Sequence, residues 1–162
     1  MRAAAALVLA TACRPATSRE MPRPAAVSLE RLRDGARAFS SYAGIGDPMR
    51  TVIRDSTAWR EFWEQLNRPF VPRPALPPID FGRKMVVVAA LGTRPNAGYD
   101  VVIEGAHRDS AGIRISLRVA APASGCPVAT VMTQPVDLAL LAVSDQPVRF
   151  DERDVVVSCG PR

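Results

Sequence analysis

Three cysteines, one histidine and a scatter of carboxylates are the reactive side chains of this 162-residue chain. A Ser-His-Asp or Cys-His nucleophile needs an imidazole beside it, and His107 is the sole histidine. It falls in His107-Arg108-Asp109-Ser110, at the approach to an expected hairpin tip, and reads as a solvated turn residue. H-E-x-x-H, G-x-S-x-G, phosphate-loop and calcium-loop patterns are not found in the sequence. Asp80, Asp100 and Asp137 each lie beside strand-like sequence, and paired carboxylates can act without a motif. Asp80, between Pro77-Pro78-Ile79 and Phe81, is expected to tie down a proline-rich segment instead. With no C-x-x-C and a lone histidine, a metal site is not expected. The chain is read as a non-enzyme with no catalytic residue and no cofactor.

The cysteines carry more information. Met1–Cys13 reads MRAAAALVLATAC: one arginine, a short apolar run from Ala3 to Ala12, then small residues. That is the layout of an export signal, and the run is too short to span a bilayer. Leu9-Ala10-Thr11-Ala12-Cys13 resembles the bacterial lipobox, in which the cysteine is acylated and becomes the first residue. Residues 1–12 are therefore expected to be a signal peptide and Cys13 a lipidation site. Residues 13–26, with three prolines after Arg14 and no apolar periodicity, are expected to be a lipidated, semi-rigid tether. Residues 27–162 are expected to form a single β-rich domain. If Cys13 carries lipid, Cys126 and Cys159 remain as an even pair in an oxidising compartment, where disulfides persist. The alternative is two separate buried thiols. The implied location is the cell envelope, facing the periplasm or the exterior.

The formal charge of +5 could point to nucleic acid or a membrane surface, so its distribution decides. Beyond residue 26 there are 17 basic against 15 acidic residues, and the arginines stand singly among acids. Nucleic acid is not an expected partner, and the membrane is expected to be met through the N-terminal lipid only.

Fifteen prolines against ten glycines, unevenly placed, argue against a mostly helical protein. Two short strands are expected between Val27 and Asp55, with Gly44-Ile45-Gly46-Asp47-Pro48 as a turn. Asp55-Ser56-Thr57 reads as a cap for a helix over 58–66, in which Trp59, Phe62, Trp63 and Leu66 fall at i, i+3, i+4 and i+7. Five prolines within Pro69–Pro78 predict an extended strap across the sheet surface. Lys84–Leu91 reads as a strand apolar on both faces. Tyr99–Ala106 and the alternating Ile113–Val119 flank Asp109-Ser110-Ala111-Gly112, a hairpin signal. Val136–Val143 and Asp154–Ser158 complete the strands. The expected fold is mainly β (α+β): an antiparallel barrel or sandwich with one helix packed on it.

Two loops stand out. In Gly92–Tyr99, Pro95 stiffens the chain, Asn96 tolerates a left-handed conformation and Gly98 permits positive φ before Tyr99. Thr133-Gln134-Pro135 ends the second. Such loops either close a corner of the fold or present a binding surface; the candidate partner-binding residues are Arg94, Pro95, Asn96, Gly98, Tyr99, Thr133, Gln134 and Pro135.

Over 86–143 the sequence resembles the C-terminal domain of the protease complex subunit PrcB family, through VVVAALGTRPNAGYDVVI, IRISLRV, the Pro122–Pro127 loop and VMTQPVDLALL. Val52-Ile53-Arg54-Asp55, the Trp59/Trp63 helix and Pro78-Ile79-Asp80-Phe81 are similar to the segment that often precedes that domain. The resemblance implies a lipoprotein subunit associated with a protease and attaches no catalytic residues to the domain. The expected function is a lipid-anchored, non-enzymatic accessory module that binds an extracytoplasmic protein such as a protease. The alternative is a peptidase inhibitor, because Arg94–Tyr99 is similar to the N-P-T-T-G-Y-like loop of chagasin-type cysteine protease inhibitors. A rigid Pro/Gly loop loses little entropy on docking into a protease cleft.

Overall fold

A computed structural model describes residues 24–32 and 43–159. The expected signal peptide, Cys13 and most of the expected tether lie outside the described residues. Two four-stranded sheets face each other without closing into a barrel, and one helix covers the outer face of the second sheet, so the fold is a β sandwich with one helix. The first sheet orders β1 (Ala25–Val27), β5 (Asp100–Asp109), β6 (Gly112–Pro122) and β8 (Val148–Val157). The second orders β2 (Glu30–Arg31), β7 (Val136–Ala142), β4 (Lys84–Leu91) and β3 (Pro48–Ile53). Ala25 and Ala26, in the stretch read as tether, pair with Arg108 and His107.

β4 explains the three layers. Successive side chains of a strand point to opposite faces. Met85, Val87, Ala89 and Leu91 therefore join the core between the sheets, where Ile103, Ile113, Ile115 and Leu117 meet them. Val86, Val88 and Ala90 face the other way, into a second core with the helix. α1 (Ser56–Leu66) buries Trp59, Phe62, Trp63 and Leu66 there, the one-sided stripe expected of a helix on a sheet. Each such side chain stabilises the layer by about 1.5–3 kcal/mol. Asp55 caps the helix by accepting from Ala58 N at 2.8 Å, an arrangement that contributes about 1 kcal/mol. At the other end Gly44 N donates to Leu66 O at 2.9 Å. A Cβ on Gly44 would run into the Gln65 carbonyl, so only glycine lets this segment dock.

Three expectations need correcting. The proline-rich strap does not run over open sheet. It lies along the helix, where Trp59 Nε1 donates to Pro77 O and Trp63 Nε1 to Pro74 O, each at 3.1 Å; indole N–H groups on a buried stripe need acceptors, and the strap supplies them. The final strand starts at Val148, six residues before the expected Asp154, and pairs parallel with β6. The sandwich is therefore antiparallel apart from that one pair. Its early residues escaped notice because Arg149-Phe150-Asp151-Glu152-Arg153-Asp154 reads as solvated loop, whereas here the charges decorate a sheet edge. Of the two strands expected over 27–55, β3 is present, and short β1 and β2 stand before it; residues 33–42 lie outside the described residues.

Candidate functional site

Strand directions sort the molecule into two poles. β4, β6 and β8 end, and β3, β5 and β7 begin, at one pole. The β5–β6 hairpin lies at the other, and so does Ala25, which pairs with Arg108 two residues along from Val27 at Ala106. The chain therefore enters the described fold at the hairpin pole. The ten residues of β5 separate the poles by about 30 Å.

Both loops flagged by the sequence sit at the far pole, and they are joined. Arg94 N donates to Thr133 O at 2.8 Å and Thr133 N returns a bond to Arg94 O at 3.0 Å. Thr133 Oγ1 donates to Asn96 O at 3.1 Å, and Gln134 Nε2 to Thr93 Oγ1 at 3.2 Å. Leu91 N takes the Pro135 carbonyl at 2.9 Å, and Ala97 N that of Ala129 at 3.0 Å. The Arg94 guanidinium lies 5.6 Å from the centre of the Tyr99 ring, within cation–π range. Gly98 has φ +107°, and a Cβ there would press on Val128 and Pro122. The two loops thus form one braced platform. Thr133 is buried at its centre, and Pro95 and Met132 are exposed on its surface.

Two polar atoms inside the platform, Arg94 Nε and Asn96 Oδ1, are buried without a hydrogen-bond partner. Such atoms are uncommon in folded proteins; a third, Asn67 Oδ1, lies at the end of α1, away from the platform. Beside the platform Cys126 and Cys159 form a disulfide with a Cα–Cα separation of 5.5 Å. It ties the loop after β6 to the end of β8, and Ala123 N donates to Val157 O at 2.9 Å alongside it. Between disulfide and platform is a cavity of about 290 Å³ walled by Gly98, Pro122, Pro127, Val128 and Val157.

The chemistry of this pole is unusually plain. Residues 119–136 contain no charged side chain in a chain that is 23% charged, and Arg94 is engaged with Tyr99. Met132, Val156 and Val157 are 69%, 70% and 47% exposed. Exposed apolar side chains in a stretch without charge have the character of a protein-contacting surface. Sequence reasoning found both loops but missed Val128, Met132, Val156 and Val157; the uncharged run over 119–136 was the available signal.

The carboxylates considered for acid–base work are each occupied. Asp80 Oδ1 accepts from Gly82 N at 3.0 Å, holding the end of the strap, and Asp100 accepts from Arg118 at 3.1 Å. Asp137 Oδ2 accepts from Arg31 Nη1 and Ile103 N. His107 is exposed on β5, at the hairpin pole. Next to it Asp109 is held below its ordinary 3.8, first by the Ala111 backbone N–H and then by Arg114. Among the described residues no three His, Cys, Asp or Glu side chains gather as a metal site.

A β sandwich carrying a braced loop pole belongs to the broad class of β modules that present loops from a rigid frame. Residues 85–141 match the family model described as PrcB C-terminal. That span is about a third of the chain and runs from β4 through β7, taking in both loops, the hairpin and the first half of the disulfide. The resemblance read from the sequence over 86–143 coincides with it. No curated protein and no solved structure matches the chain.

Proposed function

We propose that this chain is a non-enzymatic accessory module of the cell envelope, anchored by lipid on Cys13, that binds an extracytoplasmic protein and supports a protease complex. The observation that carries the reading is the Arg94–Thr133 clamp, which fuses two loops into a platform whose one charged side chain is Arg94, at the pole opposite the point where the chain enters the fold. An anchor at Cys13 leaves that platform facing away from the membrane. Three further features support the reading: the lipobox-like Leu9–Cys13, the Cys126–Cys159 disulfide, which suits an oxidising compartment, and the PrcB C-terminal match over 85–141. Arg94, Pro95, Asn96, Gly98, Tyr99, Thr133, Gln134 and Pro135 form the partner-binding platform. Crosslinking in the native envelope, then purification in detergent and mass spectrometry, tests it. A Cys13-acylated chain joined to a protein partner is expected; an unprocessed chain recovered alone overturns it.

A second reading, peptidase inhibition through Arg94–Tyr99, is favoured by one observation. That loop is held at Leu91, Thr93, Arg94 and Ala97, as a loop resisting cleavage would be. Titration of a papain-like enzyme separates the two readings, and no inhibition at high micromolar protein dismisses this one.

A further inference from the structure

The proline-rich strap has one edge fastened to the helix and two edges open. Between Pro72 and Pro78 every residue except Ala75 is constrained, either by its own ring, which fixes φ, or by the proline that follows it. The conformation this favours is the polyproline helix, which turns once in about three residues and so has three edges. The pegs from α1 fit that period. Pro74 O and Pro77 O, one such turn apart, both face α1 and accept from Trp63 and Trp59, which are themselves one α-helical turn apart.

The remaining two edges meet solvent. From Val71 to Pro78 only Pro77 is buried. Val71 is 96% exposed and Leu76 39%, so two large apolar side chains left in solvent stand on this one segment. Among the described residues nothing donates to the carbonyls of Pro72, Arg73, Ala75 or Leu76. Proline has no N–H, so the outward surface is rich in rings and free acceptors and poor in donors. The two indole pegs hold it in place before any partner arrives.

We infer that Pro72–Pro78 is a docking ligand for a partner protein with an aromatic-lined groove. Tryptophan and tyrosine rings in such a groove pack against the two open edges, and their N–H and O–H groups donate to the free carbonyls. The occupant follows from the chemistry of the strap. A partner β-strand would find no ladder of donors on a segment so rich in proline. A second copy of this chain does not serve, because both its tryptophans are buried in the helix layer and Tyr99 is engaged by Arg94. A ligand already held in its bound form loses little entropy on docking. This contact lies apart from the far-pole platform, goes beyond the function proposed above and stands without it.

The test puts the photo-crosslinker p-benzoylphenylalanine in place of Val71 in the full chain, and in a second sample in place of Met132 on the platform. Both are irradiated in the cells that make the protein. The chain carrying it at position 71 is expected to join one protein, at a residue that mass spectrometry maps to the border of a groove containing tryptophan or tyrosine. In extracts of those cells, millimolar acetyl-Pro-Arg-Pro-Ala-Leu-Pro-Pro-Ile-amide should lower the yield about tenfold, and its analogue with alanine for each proline should not. Leu76→Asp should lower the yield by a similar factor while amide exchange in β4 stays unchanged. Val143→Asp, at a site 40% exposed, should leave the yield unchanged. If Leu76→Asp disturbs β4, the peptide competition decides alone. No crosslink at position 71, a joined residue away from any aromatic groove, capture of a second copy or of lipid, or no competition by the proline peptide each overturns the docking site. A partner joined at position 132 with none at 71 removes the strap and leaves the accessory function standing; the reverse result removes the platform and leaves the strap.

Discussion

Arg31 and Asp137 together satisfy both backbone groups of Ile103, which belongs to the opposite sheet. Asp137 Oδ2 accepts from Ile103 N at 2.7 Å, Arg31 Nη2 donates to Ile103 O at 2.8 Å, and the two side chains meet at 2.6 Å. β1 covers β5 only from Ala106 onward, and a bulge displaces Glu104 between Ile103 and Gly105. The buried, edge-facing backbone groups of Ile103 are thus paired by side chains rather than by a strand. Arg50 and Glu152 join the other flank of the sandwich with two bonds, at 2.7 and 3.0 Å.

Removing the carboxylate should be costly, because it leaves a half-buried N–H and a guanidinium without their acceptor. Asp137→Ala is expected to destabilise by about 2–4 kcal/mol. Arg31→Ala should cost about 1 kcal/mol, since Arg31 is nearly half exposed and exposed ion pairs contribute little. Urea denaturation of both single variants and the double variant measures the coupling; an Asp137→Ala loss below about 0.5 kcal/mol would refute the latch.

The indole pegs give a second test. Trp59→Phe and Trp63→Phe keep most of the ring but delete the donors to Pro77 O and Pro74 O. Each should cost about 1–2 kcal/mol, and cleavage within 69–78 by a broad protease should quicken. Equal cleavage rates in variant and parent would show that the strap is held by packing alone.

Reduction of the disulfide is expected to lower stability by up to about 4 kcal/mol in the chain-entropy model, from a separation of 33 residues. Cys126→Ser with Cys159→Ser should reproduce the loss. Hydrogen exchange should report it first at Val155–Val157 and the 123–126 loop, with β4 amides unaffected until global unfolding. Uniform acceleration across both sheets would contradict that order.

At the hairpin tip the acid limb of the stability curve carries the test. The folded state depresses the Asp109 pKa, so its contribution is present above the ordinary carboxylate range and fades as pH falls through the lowered value. Asp109→Asn retains an acceptor for Ala111 N, donated at 2.7 Å in the parent, but loses the charge facing Arg114. The stability gap between parent and variant should therefore close as pH drops from about 6 to about 2. A gap independent of pH would mean that the carboxylate's charge has no part in it.

Much of this architecture was readable where the signal is local. The spacing of Trp59, Phe62, Trp63 and Leu66 defined a helix and its buried face. The unbroken apolar run of Lys84–Leu91 announced a strand covered on both sides, and Asp109–Gly112 marked the hairpin. What escaped depends on residues far apart in the chain. Arg31 and Asp137 are separated by 106 positions and Arg50 and Glu152 by 102, so no periodicity links them. β8 was half missed because its charges look like loop until their partners are known. At the candidate site the two loops were picked out by their stiff residues, but nothing in either shows that Arg94 and Thr133 would clasp each other.

The parallel pairing of β6 and β8 dictates a path through both sheets. After Pro122 the chain must leave the first sheet, lay β7 beside β4 in the second, and cross back before Val148 can line up with Ile113. Cys159 follows two residues beyond β8, so in the folded chain it meets Cys126 at the end of that return journey. The sulfur–sulfur bond therefore works as a clasp on the finished path, fastening the returning strand to the sheet the chain had left.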